Sequence, residues 1–207
     1  MKRAAAICVA VAALAGCGGS SHNGSTSAAT TTAPPIPSAL AAHVLRAGEL
    51  QGFAPDAPTA ERDVSAWVTE TGTPPGQAAT EVARLKRLGF LAGVSEHLHP
   101  TGSAPADALS LSEQFTSAAA PRGELVQASK PPPGVKEARF PVAGIPGAVG
   151  YDLSSGGTAG HNVAFVDGHY YYLVGAGFPA GSPNPPTRAQ VVAAAADLYR
   201  RVHGMGG

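Results

Sequence analysis

Apolar residues recur at helical spacing in several parts of the chain. The clearest stripe is Val82, Leu85 and Leu88, which lies between Pro75 and Gly89. Proline suits the first turn of a helix and glycine its left-handed C-terminal cap, so this stretch is predicted to be a helix. Four further helices are predicted over residues 39–46, over 59–68 with Thr59 as N-cap, over 117–129, and from the capping box Thr187-Arg188-Ala189-Gln190 to Gly204.

Alternating and β-branched runs predict the strands Phe90–Leu98, Leu109–Ser112, Val135–Phe140, Ala148–Leu153, Val163–Val166 and His169–Val174. Asp167-Gly168 separates the last two and predicts a two-residue hairpin with a type I′ turn. That register sets Phe165 opposite Tyr170 and Val163 opposite Tyr172. Alternation makes this the core face of the hairpin, against which the last helix is expected to pack.

Helices mixed with mostly sequential strands predict an α+β fold, with a mostly antiparallel sheet packed against helices. The element order resembles small exported actinobacterial lipoproteins with a PsbP/Mog1-like sheet. That resemblance implies a fold and carries no function.

Composition narrows the class of partner. The 207 residues include 26 Gly and 19 Pro, and only 14% are charged, compared with about 25% in an average soluble domain. The formal net charge is zero, so no basic field exists that would attract nucleic acid.

The first residues form an export signal. Lys2 and Arg3 precede the apolar run Ala4–Leu14, which is too short to span about 30 Å of hydrocarbon. The run ends in Leu14-Ala15-Gly16-Cys17, which resembles the lipobox of bacterial prolipoproteins. The resemblance implies transfer of a diacylglyceryl group to the Cys17 sulfur, cleavage before Cys17 and further acylation such as palmitate. An ordinary secretory signal is the alternative.

The prolipoprotein resemblance divides the chain into three parts: a signal peptide over residues 1–16, a lipidated Cys17 with a disordered tether over 17–38, and a single α+β domain over 39–203. The tether is predicted from its small, polar and proline-containing sequence. The expected location is the extracytoplasmic face of the cell membrane, with the lipid anchor as membrane partner. Cys8 leaves with the signal peptide, so the mature chain holds no disulfide.

No motif assigns a catalytic, cofactor or metal residue. The glycine arrays Gly144–Gly150 and Gly175–Gly181 lack the strand-then-helix context of a phosphate loop and are interpreted as turns and strand exits. His97 and His99 share one face of a strand at a usable ligand spacing, with His161 or His169 as a third ligand, but solvent-facing polar residues are the favoured interpretation. No serine stands in a nucleophile motif.

The run Tyr170-Tyr171-Tyr172 suggests one candidate site. Alternation puts His169, Tyr171 and Leu173 on the face opposite the predicted core, where they are a hypothetical surface for a ligand or partner. The alternative is a core run with one half-exposed ring.

These observations favour a membrane-tethered binding or interaction domain of the cell envelope, without a cofactor, whose partner is an envelope protein or a small ligand. Two alternatives remain open. One is an envelope enzyme of hydrolase type with dispersed site residues, and the other is a structural accessory lipoprotein.

Overall fold

The computed structural model describes residues 38–103, 105–128, 130–131 and 134–203. The predicted signal peptide, Cys17, the tether up to residue 37 and the helix end at Gly204 lie outside these residues. The described helices are α1 (Ser38–Ala41), α2 (Val64–Glu70), α3 (Pro75–Leu88), α4 (Ala120–Ala128) and α5 (Arg188–His203). The strands are β1 (Phe53–Pro55), β2 (Thr59–Glu61), β3 (Phe90–Pro100), β4 (Asp107–Phe115), β5 (Lys136–Phe140), β6 (Val149–Ser155), β7 (Thr158–Asp167) and β8 (Tyr170–Pro179).

All eight strands join one antiparallel sheet. Their order is β1-β3-β4-β8-β7-β6-β5, and β2 pairs with β3 beyond the end of β1. Helix α5 and the segment around Leu45 and Leu50 cover one side, here called the α5 face. Helices α2, α3 and α4 cover the other, here called the three-helix face. The predicted α+β fold with an antiparallel sheet is therefore confirmed.

The α5 face is a closely packed apolar layer. The buried side of α5, with Val191, Ala195 and Leu198, packs on Val163 and Phe165 of β7. The predicted packing of the last helix on this side of the hairpin is confirmed. The predicted capping box is also present, because Thr187 N donates to Gln190 Oε1 at 2.7 Å and Gln190 N to Thr187 Oγ1 at 3.2 Å.

The three-helix face is the second half of the core. Trp67 of α2 and Leu85 of α3 are fully buried against it. Gly93 of β3 makes the close approach of Trp67 feasible, since a Cβ there would lie 2.4 Å from the indole ring. The hairpin was expected to have one core face, but both of its faces are buried, because helices cover the sheet on each side.

The hairpin between β7 and β8 turns one residue later than predicted. Its central residues are Gly168 and His169, and the register pairs Phe165 with Tyr172 and Asp167 with Tyr170. Gly168 has φ of 55° and His169 is not in the left-handed region. This is the pattern of a type II′ turn, which needs positive φ only at its first central position. The faces are as predicted, because the register changed by an even number of residues.

Two helix predictions near the N-terminus were wrong in extent. Helix α1 ends at Ala41 instead of residue 46, because tertiary partners take the backbone groups that a longer helix needs. Arg201 donates to the carbonyls of Ala42 and Val44, and Leu45 N donates to Ser110 Oγ at 3.1 Å.

Thr59 does not cap α2. It belongs to β2 and pairs with Ser95 of β3. The cap is Asp63, whose carboxylate accepts from Ser65 N at 2.9 Å and Ala66 N at 2.8 Å. Asp is as good an N-cap as Thr, and strand pairing of the earlier residues decides between them.

Candidate functional site

A cavity of about 540 Å³ opens where β7 turns into β8. Polar side chains from distant parts of the chain line it, and we call it the Tyr170 pocket. They are His43, Gln114, Asp167, His169, Tyr170 and His203. Ala39 and Val202 add apolar surface, and Tyr172 contributes its hydroxyl end. Volumes of this size are typical of small-ligand sites.

The sheet register brings three of these residues together. Tyr170 is flanked by Asp167 on β7 and by Gln114 on β4. The last turn of α5 passes over the same end of the sheet and supplies His203, whose Nδ1 lies 3.0 Å from Asp167 Oδ1. The pocket is thus formed by the end of the sheet and the end of one helix.

His43 is held in place by Arg201. The Arg201 guanidinium donates to the carbonyls on either side of His43 and pairs with Glu49 at 2.8 Å. The His43 ring then stacks on Tyr170, with ring centroids 4.1 Å apart, and its Nδ1 lies 2.7 Å from the Tyr172 hydroxyl. Burial, followed by the charge of Arg201, lowers the pKa of His43, which favours the neutral ring.

The three histidines of the pocket are anchored in the same way. Each uses Nδ1 for a contact within the protein: His43 with the Tyr172 hydroxyl, His203 with Asp167, and His169 with the Phe115 carbonyl at 3.2 Å. A neutral ring that donates from Nδ1 presents an acceptor at Nε2. His169 and His203 have acceptors at Nδ1, so their Nε2 atoms are acceptors whenever those rings are neutral.

Several polar groups of the pocket make no hydrogen bond within the described residues. They are the Nε2 atoms of the three histidines, the Tyr170 hydroxyl and the Gln114 amide. Neither lysine nor arginine lines the pocket, and Asp167 is its one carboxylate. The pocket therefore offers both donors and acceptors and little net charge.

The predicted surface of His169, Tyr171 and Leu173 is not present as a surface. Tyr171 and Leu173 are 3% and 4% exposed and lie beneath the helices of the three-helix face. Only His169 is exposed, and it lines the Tyr170 pocket instead. The correction follows from the second helical layer, which the alternation of one hairpin does not reveal.

The other candidate motifs are dispersed. His99 lies between Asp56 (2.9 Å) and Asp107 (3.6 Å), while His161 contacts Asp152 at 2.7 Å on β6. Across the described ranges, no group of three or more His, Cys, Asp or Glu side chains is placed to hold a metal ion. Of the glycine arrays, Gly175–Gly177 stand within β8, and Gly144 and Gly147 form turns before β6.

Beneath the three-helix face lies a sealed group of charges. Arg84 of α3 pairs with Glu81 and with Glu124 of α4, and all three are buried. Burial alone would lower the pKa of Arg84, but the two carboxylates raise it above its usual range. Glu113 lies close by and accepts from Trp67 Nε1 at 2.7 Å. Burial, and then the charge of Glu124, raises the pKa of Glu113 to about 8.

A lone carboxyl on the α5 face is also affected by burial. Burial, and then the charge of Glu49, raises the pKa of Glu96 to about 7, although Arg201 opposes the shift. Glu96 lies under the segment that Arg201 holds, outside the Tyr170 pocket. A second cavity, of about 280 Å³, lies near the start of α5 and is lined by Phe53, Gln51 and Asn184 among others.

Sequence reasoning missed most of the Tyr170 pocket. It interpreted Asp167 as a turn residue and made no use of His43, Gln114 or His203. These residues are separated by up to 160 positions and share no motif. The alternation of β8 did place Tyr170 and Tyr172 on one face, which is the one signal of the pocket that the sequence holds.

Two solved structures share features of the fold. No family model and no curated protein sequence matches the chain. The extracellular domain of PknH from Mycobacterium tuberculosis aligns with 81% of this chain and 98% of its own, at 13% identity and a TM-score of 0.50. An uncharacterised protein (Rv0999 ortholog) from Mycobacterium smegmatis aligns over 74% and 90%, at 12% identity and a TM-score of 0.42.

At these identities the likeness concerns the fold alone. The PsbP/Mog1-like part of the fold prediction is not confirmed. No helix among the described residues is both long enough and apolar enough to cross a membrane.

Proposed function

We propose that this chain is an exported lipoprotein, anchored through Cys17 at the extracytoplasmic face of the membrane, whose domain binds a ligand of the cell envelope in the Tyr170 pocket. The observation that carries the binding function is the set of uncommitted polar groups around one cavity. A structural accessory protein has no need of three histidines oriented with Nε2 free.

The anchor rests on the sequence Leu14-Ala15-Gly16-Cys17. The export of the chain is supported by its likeness in fold to a domain described as extracellular. Ala39, one of the first described residues after the predicted tether, lines the Tyr170 pocket. The proposed ligand site therefore lies at the end of the domain from which the tether would run to the membrane.

Intact mass of the membrane-extracted protein tests the anchor. The wild type is expected to have the mass of residues 17–207 plus acyl chains, while Cys17→Ser is expected to lack the acyl mass and to leave the membrane fraction. An unacylated wild type in the soluble fraction would contradict the lipoprotein assignment and leave the pocket hypothesis to be tested on its own.

Binding is tested by titrating the full chain with a fragment library of neutral, cationic and anionic compounds. The Cε1–H resonances of His43, His169 and His203 report on the pocket. Those of His97 and His99 serve as internal controls, because they lie on the three-helix face toward the other end of β3. Shifts confined to the pocket histidines would support the proposal, and a library without any such compound would refute it.

A further inference from the structure

The donor and acceptor pattern of the Tyr170 pocket narrows the class of ligand. Resting on the binding function proposed above, we propose that the pocket takes a neutral saccharide unit, held through its hydroxyl groups. A hydroxyl both donates and accepts, so it can serve every uncommitted group of the pocket.

The acceptors exclude a good fit for an anion. Asp167 and the Nε2 atoms of neutral His169 and His203 only accept hydrogen bonds. A phosphate or carboxylate also only accepts, and no lysine or arginine lines the pocket to balance its charge. Arg201 is the nearest guanidinium of the argument, and it is committed to Glu49 and two backbone carbonyls.

The donors argue against a simple cation. The Gln114 amide group and the Tyr170 hydroxyl both carry hydrogens that make no hydrogen bond within the described residues. An ammonium group offers only donors and would leave the Gln114 hydrogens unpaired, which costs affinity in a desolvated site. The one carboxylate, Asp167, already has His203 as a partner.

The apolar parts of the wall suit the carbon skeleton of a sugar. Tyr170 and Val202 present ring and methyl surface between the polar groups, and the Tyr170 ring is fixed by its stacking on His43. Amphipathic aromatic side chains with a polar tip suit ligands that combine C–H surface with hydroxyls. Such pre-oriented walls also reduce the entropy lost on binding.

The test uses three glucosides that differ in charge: methyl glucoside, the methyl glycoside of glucosamine and methyl glucuronide. Each is titrated into the full chain, with the Cε1–H shifts of the three pocket histidines as readout. The neutral glucoside, or its galactose, mannose or N-acetylglucosamine counterpart, is expected to bind at least about tenfold more tightly than the glucuronide. Its affinity should be insensitive to salt between about 0.05 and 0.5 M, since no ion pair is involved.

Two variants connect the binding to the proposed groups. Gln114→Ala and Asp167→Asn should each weaken the neutral glycoside roughly three- to tenfold, the cost of one hydrogen bond. Gln51→Ala is the matched control, because Gln51 lines the second cavity and not this one. An unchanged urea midpoint for each variant shows that it is folded; Gln114 is suited to this because its side chain has no hydrogen bond to lose within the described chain.

The saccharide could be free or the head group of a glycolipid, and vesicles distinguish the two sources. Flotation with phosphatidylcholine vesicles, with and without glucosyl diacylglycerol, detects the second source through the Cys17→Ser chain. Capture that free methyl glucoside displaces would show a lipid-borne sugar, and binding of the free glycoside alone would show a soluble one. Either result supports a saccharide.

Tighter binding of the charged glycosides, or full affinity in Gln114→Ala, would overturn the saccharide proposal. If fragments of another class shift the pocket histidines while every neutral glycoside fails, the binding function stands and the saccharide proposal falls. If no compound of any class shifts them, both fall.

Discussion

The two faces of the sheet handle polar side chains in opposite ways. On the three-helix face, Arg84, Glu81 and Glu124 are buried and saturate one another. At the end of the α5 face, the histidines, Gln114 and Tyr170 line an open cavity with atoms that have no partner in the described chain. The first arrangement is closed electrostatically, and the second is closed only when a ligand is present.

This contrast separates a structural network from a candidate site more reliably than shifted pKa values do. The three-helix face contains the carboxyl with the larger upward shift, Glu113. Strong pKa perturbation marks functional sites only as a tendency, since structural ion-pair networks perturb pKa values too. Accessibility together with uncommitted hydrogen-bonding atoms is the observation that assigns binding to the Tyr170 pocket.

The largest effect is expected for Arg84→Leu. The change leaves two buried carboxylates without their cation and should lower the free energy of unfolding by about 3–5 kcal/mol. Arg200→Leu is the matched control, because its pair with Asp197 is exposed and worth about 0–1 kcal/mol. Urea denaturation measures both; equal losses would show that the cluster is not sealed as described.

Glu113 and Glu96 compare the two faces through pH. Each pKa is raised above the usual value of 4.5, so the folded state retains a proton that the unfolded state loses, and stability falls as pH rises. For Glu113 this loss extends to about pH 8, and for Glu96 it ends near pH 7. Over the first window the effect should be on the order of a few kcal/mol.

The measurement is the free energy of unfolding between pH 4 and about 9. Glu113→Gln should flatten the decline up to about pH 8, and Glu96→Gln should flatten only its lower part. Gln can keep the hydrogen bond from Trp67 Nε1 to residue 113. A wild-type stability that increases through this window would contradict both assignments.

Gly93→Ala tests the packing of the three-helix face. The added Cβ would meet the Trp67 ring at 2.4 Å, so the indole or β3 must shift, at a cost of about 1–3 kcal/mol. Gly76→Ala in α3 is the control, since its Cβ would meet nothing within 4 Å. Trp67 fluorescence during unfolding reports both. A neutral Gly93→Ala would mean that the tryptophan does not lie on the strand.

The smallest effect is expected at the start of α2. Asp63→Ala removes the acceptor for two backbone N–H groups and should cost about 1 kcal/mol. Thr59→Ala, which changes an exposed residue of β2, should cost less. Thermal unfolding of the two variants side by side decides between them, and a larger loss for Thr59→Ala would restore the cap that the sequence pattern suggested.

Local signals predicted elements well where one stretch of chain contains both the pattern and its boundary. Helix α3 begins at Pro75 and ends at Gly89, whose φ is 76°, as the sequence indicated. The Thr187 capping box starts α5. By contrast, α1 stops early because Arg201, more than 150 residues away, takes two of its carbonyls.

The sequence by itself therefore determined the export signal as a prediction, the α+β class, and the faces of the β7–β8 hairpin, because each follows from neighbouring residues and their spacing. Only the tertiary structure decided that Tyr171 and Leu173 are interior, because burial depends on a helical layer from elsewhere in the chain. It also decided that His43, Gln114, Asp167 and His203 meet at Tyr170. Such convergence arises from strand register and helix packing, which bring together residues that no local pattern connects.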